Sequence, residues 1–154
     1  MGSEAGSTVI TALDTSVLLD VLLDDPTHRA KSLEALRAAH AVGGLIACPV
    51  VWAEIRGGVK RPEAVAEAFA KVDITFDPFD RACADLAGDL WHTYRSQGGT
   101  RSRLIPDFLV GAHAQLRAGR ILSRDRGFLR SYFKDLVVID PSVSGPGQKG
   151  DLGR

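Results

Sequence analysis

Cysteine is scarce. Cys48 and Cys83 are the only two in 154 residues, 35 positions apart and without a CxxC spacing. They exclude a disulfide framework and a cysteine zinc site, and they fit a reducing, cytoplasmic compartment. Long apolar runs are missing too. The strongest, Val17 to Leu23, is interrupted by Asp20, whereas a bilayer-spanning helix needs about 20 apolar residues. No membrane association is expected. No basic segment followed by an apolar one opens the chain, so no secretory leader is expected. Net charge is absent, since 19 basic and 19 acidic residues cancel, which argues against a general nucleic-acid coat protein. There is no internal repeat.

What is there suits one domain. The chain is 45% hydrophobic, and a chain of this length buries roughly 68–70% of its unfolded surface without needing a staple or structural metal. Residues 1–7 and 142–154 are small, polar or glycine-rich and are expected to be mobile tails around a domain at 8–141. The balanced charge is unevenly spread. Residues 1–89 carry 14 acids against 8 bases, while residues 90–134 carry 9 bases and just two acids, Asp107 and Asp125. Either the arginines are solvated or paired with acids on other helices, or they face a polyanion beside a metal held by the acids. Charge alone leaves both open.

Strand-like and helix-like segments alternate. Val9–Leu13, Leu45–Cys48, Ile74–Phe76, Arg120–Ser123 and Val137–Ile139 read as strands. Between them, helices are expected over Val17–Leu23, Thr27–Val42 (with Ala30, Leu33, Leu36 and His40 at helical spacing), Pro49 to about Gly57, Pro62–Val72, Asp80 to about Ser96, Pro106–Arg117 and Gly127–Phe133. Gly43-Gly44 is expected to end the second helix, and Gln97–Arg103 to form a polar loop. This alternation predicts an α/β fold, a small mainly parallel sheet flanked by helices in three layers. Such sheets bind ligands at the carboxyl ends of their strands.

Four carboxylates fall at those ends. Asp14 follows the first strand, Glu54 lies on the helix after the second, Asp107 follows Pro106 in a first helical turn, and Asp125 follows the fourth strand. Singly, each has a plain structural role available: a helix cap for Asp14, dipole stabilisation for Asp107, a turn for Asp125, exposure for Glu54. Together those roles fit less well. Glu54 sits in the apolar run Val50–Ile55, where a buried lone carboxylate is costly. Carboxylates brought close repel unless one protonates or a cation intervenes. Oxygen ligands without a histidine or cysteine cluster point to Mg²⁺ or Mn²⁺.

Four segments in order, Ala12–Leu19, Val51–Ile55, Ile105–Ala114 and Leu122–Phe128, resemble the PIN-domain family, and within it the VapC-type toxins of bacterial toxin–antitoxin pairs. The resemblance spans about Val9 to Pro141. It implies a metal-dependent endoribonuclease whose catalytic, metal-holding acids are Asp14, Glu54, Asp107 and Asp125, with Ser16 and Ser123 in supporting positions. Many relatives carry a further acid where Gly127 stands. The resemblance also implies an RNA substrate, a homodimer and a cognate VapB-type antitoxin, for which Val17–Leu23 and the Trp91/Tyr94 face offer apolar surface. Arg101, Arg103, Arg124 and Arg126 flank the loop-borne acids and are candidate RNA contacts, with surface salt bridges as the alternative. His113 lies about 240° round the helix from Asp107 and is expected to be a core or hydrogen-bonded histidine.

Other readings fit less. A PIN-like module that binds RNA without cutting it is expected to lack one or more of the four acids. A phosphotransfer enzyme with Asp14 as nucleophile wants a second aspartate two positions on, where Ser16 stands. A dinucleotide-binding domain wants a GxGxxG after the first strand, and none is there.

Overall fold

Thr11, Ala12 and Leu13 are consecutive and all buried. Successive strand residues point to opposite faces, so both faces of this strand are covered, as a parallel sheet between helices requires. The computed structural model describes residues 8–99, 103–125 and 127–143, and it has that architecture. Strands β1 (Val9–Leu13), β2 (Gly43–Ala47), β3 (Ile74–Phe76), β4 (Arg120–Leu122) and β5 (Val137–Ile139) form one sheet in the order β3-β2-β1-β4-β5. Every pairing is parallel. The helices are α1 (Thr15–Leu22), α2 (Arg29–Val42), α3 (Pro49–Gly58), α4 (Val65–Lys71, preceded by a 3-10 turn at Pro62–Ala64), α5 (Arg81–Ser96), α6 (Ile105–Arg117) and α7 (Phe128–Tyr132). Of the expected tails, residues 1–7 and 144–154 lie outside the described set.

The chain winds outward from β1 through β2 to β3, then returns to the other side of β1 with β4 and β5. The reversal lies between β1 and β4, where the backbone N–H of Asp14 donates to the Leu122 carbonyl at 3.0 Å. A crevice is expected outside the strand ends at such a point.

Two departures from the sequence expectation have local causes. Strand β2 starts at Gly43 rather than Leu45, so the glycine that ends α2 as its C-cap also opens the strand. Gly43 pairs with Val9, and a Cβ there would lie 1.8 Å from the Val9 carbonyl oxygen. Its backbone is extended, with φ 166°, so the glycine supplies space and not an unusual conformation. Helix α2 starts at Arg29 rather than Thr27, because Asp25 Oδ1 accepts from the N–H groups of both Thr27 and His28 at 2.9 and 2.8 Å. Its buried residues are Ser32, Leu36 and Ala39, while Ala30 and His40 are exposed. Ser32 sets this rotation by donating to the buried Asp20 at 2.6 Å.

Helix α6 is the central element. It packs on α5 and against β1 and β4, and Phe108, Val110, Gly111, Ala112, His113 and Ala114 are all buried. Gly111 permits close packing, since a Cβ there would meet the Phe133 ring at 2.2 Å. His113 is 1% exposed and hydrogen-bonds Asp77 through Nε2 at 2.7 Å, the role expected for it. Arg117, one turn on, grips the same carboxylate through Nε and Nη2 at 3.0 and 3.2 Å.

That cluster makes stability depend on pH. Burial pushes the His113 imidazole below its ordinary value of 6.5, against the pull of Asp77. The unfolded chain therefore takes up a proton first, and stability falls as pH drops below about 6.5. The Arg117 hydrogen bonds hold Asp77 below the usual carboxylate range. Its contribution is present above that range and is lost as pH falls through the lowered value. Both effects act in the same direction. Melting temperatures measured between about pH 7 and pH 5 should fall more steeply for wild type than for His113→Gln. Parallel curves would show that His113 is not buried as a neutral ring.

Candidate active site

Asp14 ends up at the strand terminus because it does two local jobs. It is the N-cap of α1, with Oδ1 accepting from Thr15 N–H at 2.8 Å, and its Oδ2 accepts from the Ser123 hydroxyl at 2.6 Å. Ser123 is fully buried, and its Oγ also accepts from the Asp125 N–H at 2.9 Å. One hydroxyl thus ties the carboxylate after β1 to the backbone after β4. Asp125 Oδ1 accepts from the N–H groups of Gly127 and Phe128, each at 3.1 Å, capping α7 and fixing the loop. Asp107 lies in the first turn of α6, where its Oδ2 accepts from the Leu104 N–H at 2.9 Å. Glu54, on α3, accepts from the Thr15 hydroxyl at 2.7 Å.

Asp14, Glu54, Asp107 and Asp125 line a single cleft of about 490 Å³, together with Thr15, Ser16, Arg103 and Arg124. The apolar run Val50–Ile55 does not bury Glu54: Val51 and Ile55 are buried on α3, but Glu54 is exposed. The apolar neighbours face the core and the carboxylate faces the cleft. Asp14 is closely surrounded by protein. Burial pushes its carboxyl above the ordinary value of 3.8, and the nearby charges of Asp125 and Glu54 push the same way, opposed by the hydrogen bonds from Ser123 and Thr15. Gly127, where many relatives carry another acid, is exposed.

The donor set is uniform. The carboxylates lining the cleft offer hard oxygens, and no histidine or cysteine lines it among the described residues. Each Asp14 oxygen accepts one hydrogen bond and keeps a lone pair directed elsewhere. These features fit Mg²⁺ or Mn²⁺, as does the mutual repulsion around Asp14. Among the described residues, no three acids, histidines or cysteines stand close enough to form a ready cage. Asp107 is turned back to its helix end and Glu54 to Thr15, so the acids line the cleft without converging.

The arginines divide. Arg103 lies on the cleft wall with its guanidinium carbon 4.5 Å from the centre of the Phe128 ring and Nη1 3.9 Å from Asp125 Oδ2. Arg124 is turned inward: Nε and Nη2 donate to the two oxygens of Asp20 at 2.8 and 2.9 Å. Arg101 and Arg126 lie outside the described residues. Ser16 Oγ accepts from the Arg124 N–H at 3.4 Å. Sequence reasoning passed over two residues here. Thr15, given no role there, holds Glu54. Asp20 was read as an interruption in an apolar run and is 3% exposed; an acid on the buried face of a short helix is itself a signal that a cationic partner exists.

Comparisons with known proteins agree with the fold. The family described as PIN domain matches residues 11–134. Among curated proteins, none matches. Among solved structures, the chain is similar to one in VapBC2 from Rickettsia felis bound to a DNA fragment from their promoter, at 17% identity over 86% of this chain and 98% of that one, with a TM-score of 0.66. It is similar to one in VapBC-1 from nontypeable Haemophilus influenzae, at 16% identity over 88% of this chain and 100% of that one, with a TM-score of 0.66. A chain of FitAcB from Neisseria gonorrhoeae matches at 18% identity over 86% and 98%, with a TM-score of 0.60. At these identities the likeness is one of fold.

Proposed function

Because the chain belongs to the PIN-domain family, we propose that it is a Mg²⁺- or Mn²⁺-dependent endoribonuclease and the VapC-type toxin of a toxin–antitoxin pair. The observation that carries the reading is that Asp14, Glu54, Asp107 and Asp125, far apart in sequence, line one cleft.

Asp14 and Asp107 have the firmest roles as cation ligands, with Asp125 and Glu54 completing the set directly or through water. When bound, Mg²⁺ or Mn²⁺ lowers the pKa of an attacking water and offsets charge on the phosphoryl oxygens. The protein's own part is placement. Ser123 holds Asp14 and the Asp125 backbone at a fixed separation. Glu54, exposed and anchored by Thr15, is placed to orient water at the rim. Arg103, stacked on Phe128, presents positive charge beside the acids for a phosphate of single-stranded RNA. Arg101 and Arg126 are proposed to extend that contact. Attack in line with the leaving 3′ oxygen leaves a 5′ phosphate.

A VapB-type antitoxin is the proposed partner, in keeping with the likeness to chains of VapBC2 and FitAcB, and a homodimer acting in the cytoplasm is proposed with it. No described helix is long and apolar enough to cross a membrane. Of the apolar surface expected for partners, Val17, Leu18 and Tyr94 are core, whereas Leu22 and Leu23 are exposed.

The test is purified protein on single-stranded RNA with the fragment ends mapped. Cleavage that requires Mg²⁺, stops on chelation, leaves 5′ phosphates and falls at least about 100-fold in Asp107→Ala supports the reading. RNA binding without cleavage under either metal identifies a binding module instead.

A further inference from the structure

Resting on the proposed cation site, we infer that Asp20 and Arg124 form a clamp that sets where Asp125 stands relative to Asp14. Neither contacts the reacting atoms; both are positioning residues. The loop after β4 is fastened to α1 at three successive points. The Ser123 hydroxyl donates to Asp14 at the helix cap. The Arg124 N–H meets Ser16 Oγ in the first turn, at 3.4 Å. The Arg124 guanidinium reaches Asp20 further along the same helix through two hydrogen bonds of 2.8 and 2.9 Å. The first two contacts are single hydrogen bonds, which fix a separation more than an orientation. The third is a two-point, charge-assisted grip that fixes orientation as well as distance.

The grip itself is anchored. Asp20 is 3% exposed, while the Arg124 side chain is 31% exposed, so the acid is the fixed end. The Ser32 hydroxyl of α2 donates to Asp20 Oδ2 at 2.6 Å, leaving the carboxylate little freedom to rotate. The clamp therefore runs from α2 through α1 to the loop bearing Asp125. It also keeps the guanidinium of a cleft-lining arginine away from the acids.

The test combines loop dynamics with cation affinity in the wild type, Arg124→Gln, Arg124→Lys, Asp20→Asn and the Asp20→Asn/Arg124→Gln pair. In metal-free protein, amide hydrogen exchange at residues 123–125 should speed up in every folded variant, including Arg124→Lys, whose ammonium lacks the two-point fork. Mn²⁺ affinity by titration should fall about 10- to 100-fold, the usual cost of losing a partner behind a ligand. The double variant should be no worse than the poorer single one, because the two residues act as a unit. Arg124→Gln keeps the test available should Asp20→Asn fail to fold. Exchange rates equal to wild type would overturn the clamp, as would weakened Mn²⁺ binding with an unloosened loop. Wild type that binds no Mn²⁺ would instead remove the cation site, and would do so whatever the exchange data show.

Discussion

Asp14→Asn is expected to melt no lower than wild type in metal-free buffer, yet to cleave RNA roughly 100- to 1,000-fold more slowly. The two halves share one cause. Asp14 is enclosed, and its carboxyl is pushed up first by burial and then by Asp125 and Glu54. A neutral amide of the same shape removes that repulsion, and its oxygen still accepts the Thr15 N–H that caps α1. Its NH2 takes the place of Oδ2, so the Ser123 contact is kept by reversal, with Ser123 Oγ accepting, and an anionic oxygen for a cation is lost. Wild type should gain thermal stability when Mg²⁺ is added, by about 2.7 kcal/mol at a hundred times the Kd. The variant should gain much less. A variant that cleaves as fast as wild type, or is stabilised by Mg²⁺ as much, would take Asp14 out of the metal-holding set. Residues that hold function at a stability cost are expected at active sites.

Phe108→Ala should have the largest effect on folding, a loss of about 3–5 kcal/mol. Phe108 is 0% exposed. Its ring sits edge-on to Phe128 at 4.9 Å and to Tyr132 at 5.6 Å, and is tilted against Tyr94 at 5.5 Å. One side chain thus joins α5, α6 and α7 beneath the cleft. Little nearby can collapse into the space, because the neighbours are themselves rings held in edge contacts. Urea unfolding should show a lower midpoint at an unchanged slope. A loss under about 1 kcal/mol would mean that the aromatic cluster repacks. Since Asp107 precedes Phe108 on the same helix, the variant should also lose activity below its melting range.

Where one element decided its own structure, the sequence was legible. Val9–Leu13, Ile74–Phe76 and Val137–Ile139 have the expected bounds, because short β-branched and apolar runs bounded by turns allow little else. Asp80 caps α5 as expected, accepting from Cys83 N–H at 2.9 Å. Asp14, Asp107 and Asp125 were findable because they fall just past strand ends or in a first helical turn, positions the alternation of elements marks, whereas Glu54 lies in the second turn of α3. What was not legible depends on partners distant in sequence. The role of Gly43 comes from Val9 across the sheet. The buried face of α2 is set by Ser32 reaching Asp20. Helical spacing alone offered Ala30 and His40 equally well. Whether Arg124 faces solvent or Asp20, 104 residues away, is likewise invisible in a chain read locally. Glu54 shows the same limit: the run around it left burial and exposure both open, and the helix turns Val51 and Ile55 inward and the carboxylate outward.

The most direct test of the cation site is diffraction from crystals grown in manganese, with anomalous data collected at the manganese edge. The expected result is an anomalous peak inside the cleft, in contact with the Asp14 carboxylate and at least one of Asp107, Asp125 or Glu54. A well-ordered cleft with no peak at saturating manganese, its acids still hydrogen-bonded to Thr15, Ser123 and Leu104, would contradict the account.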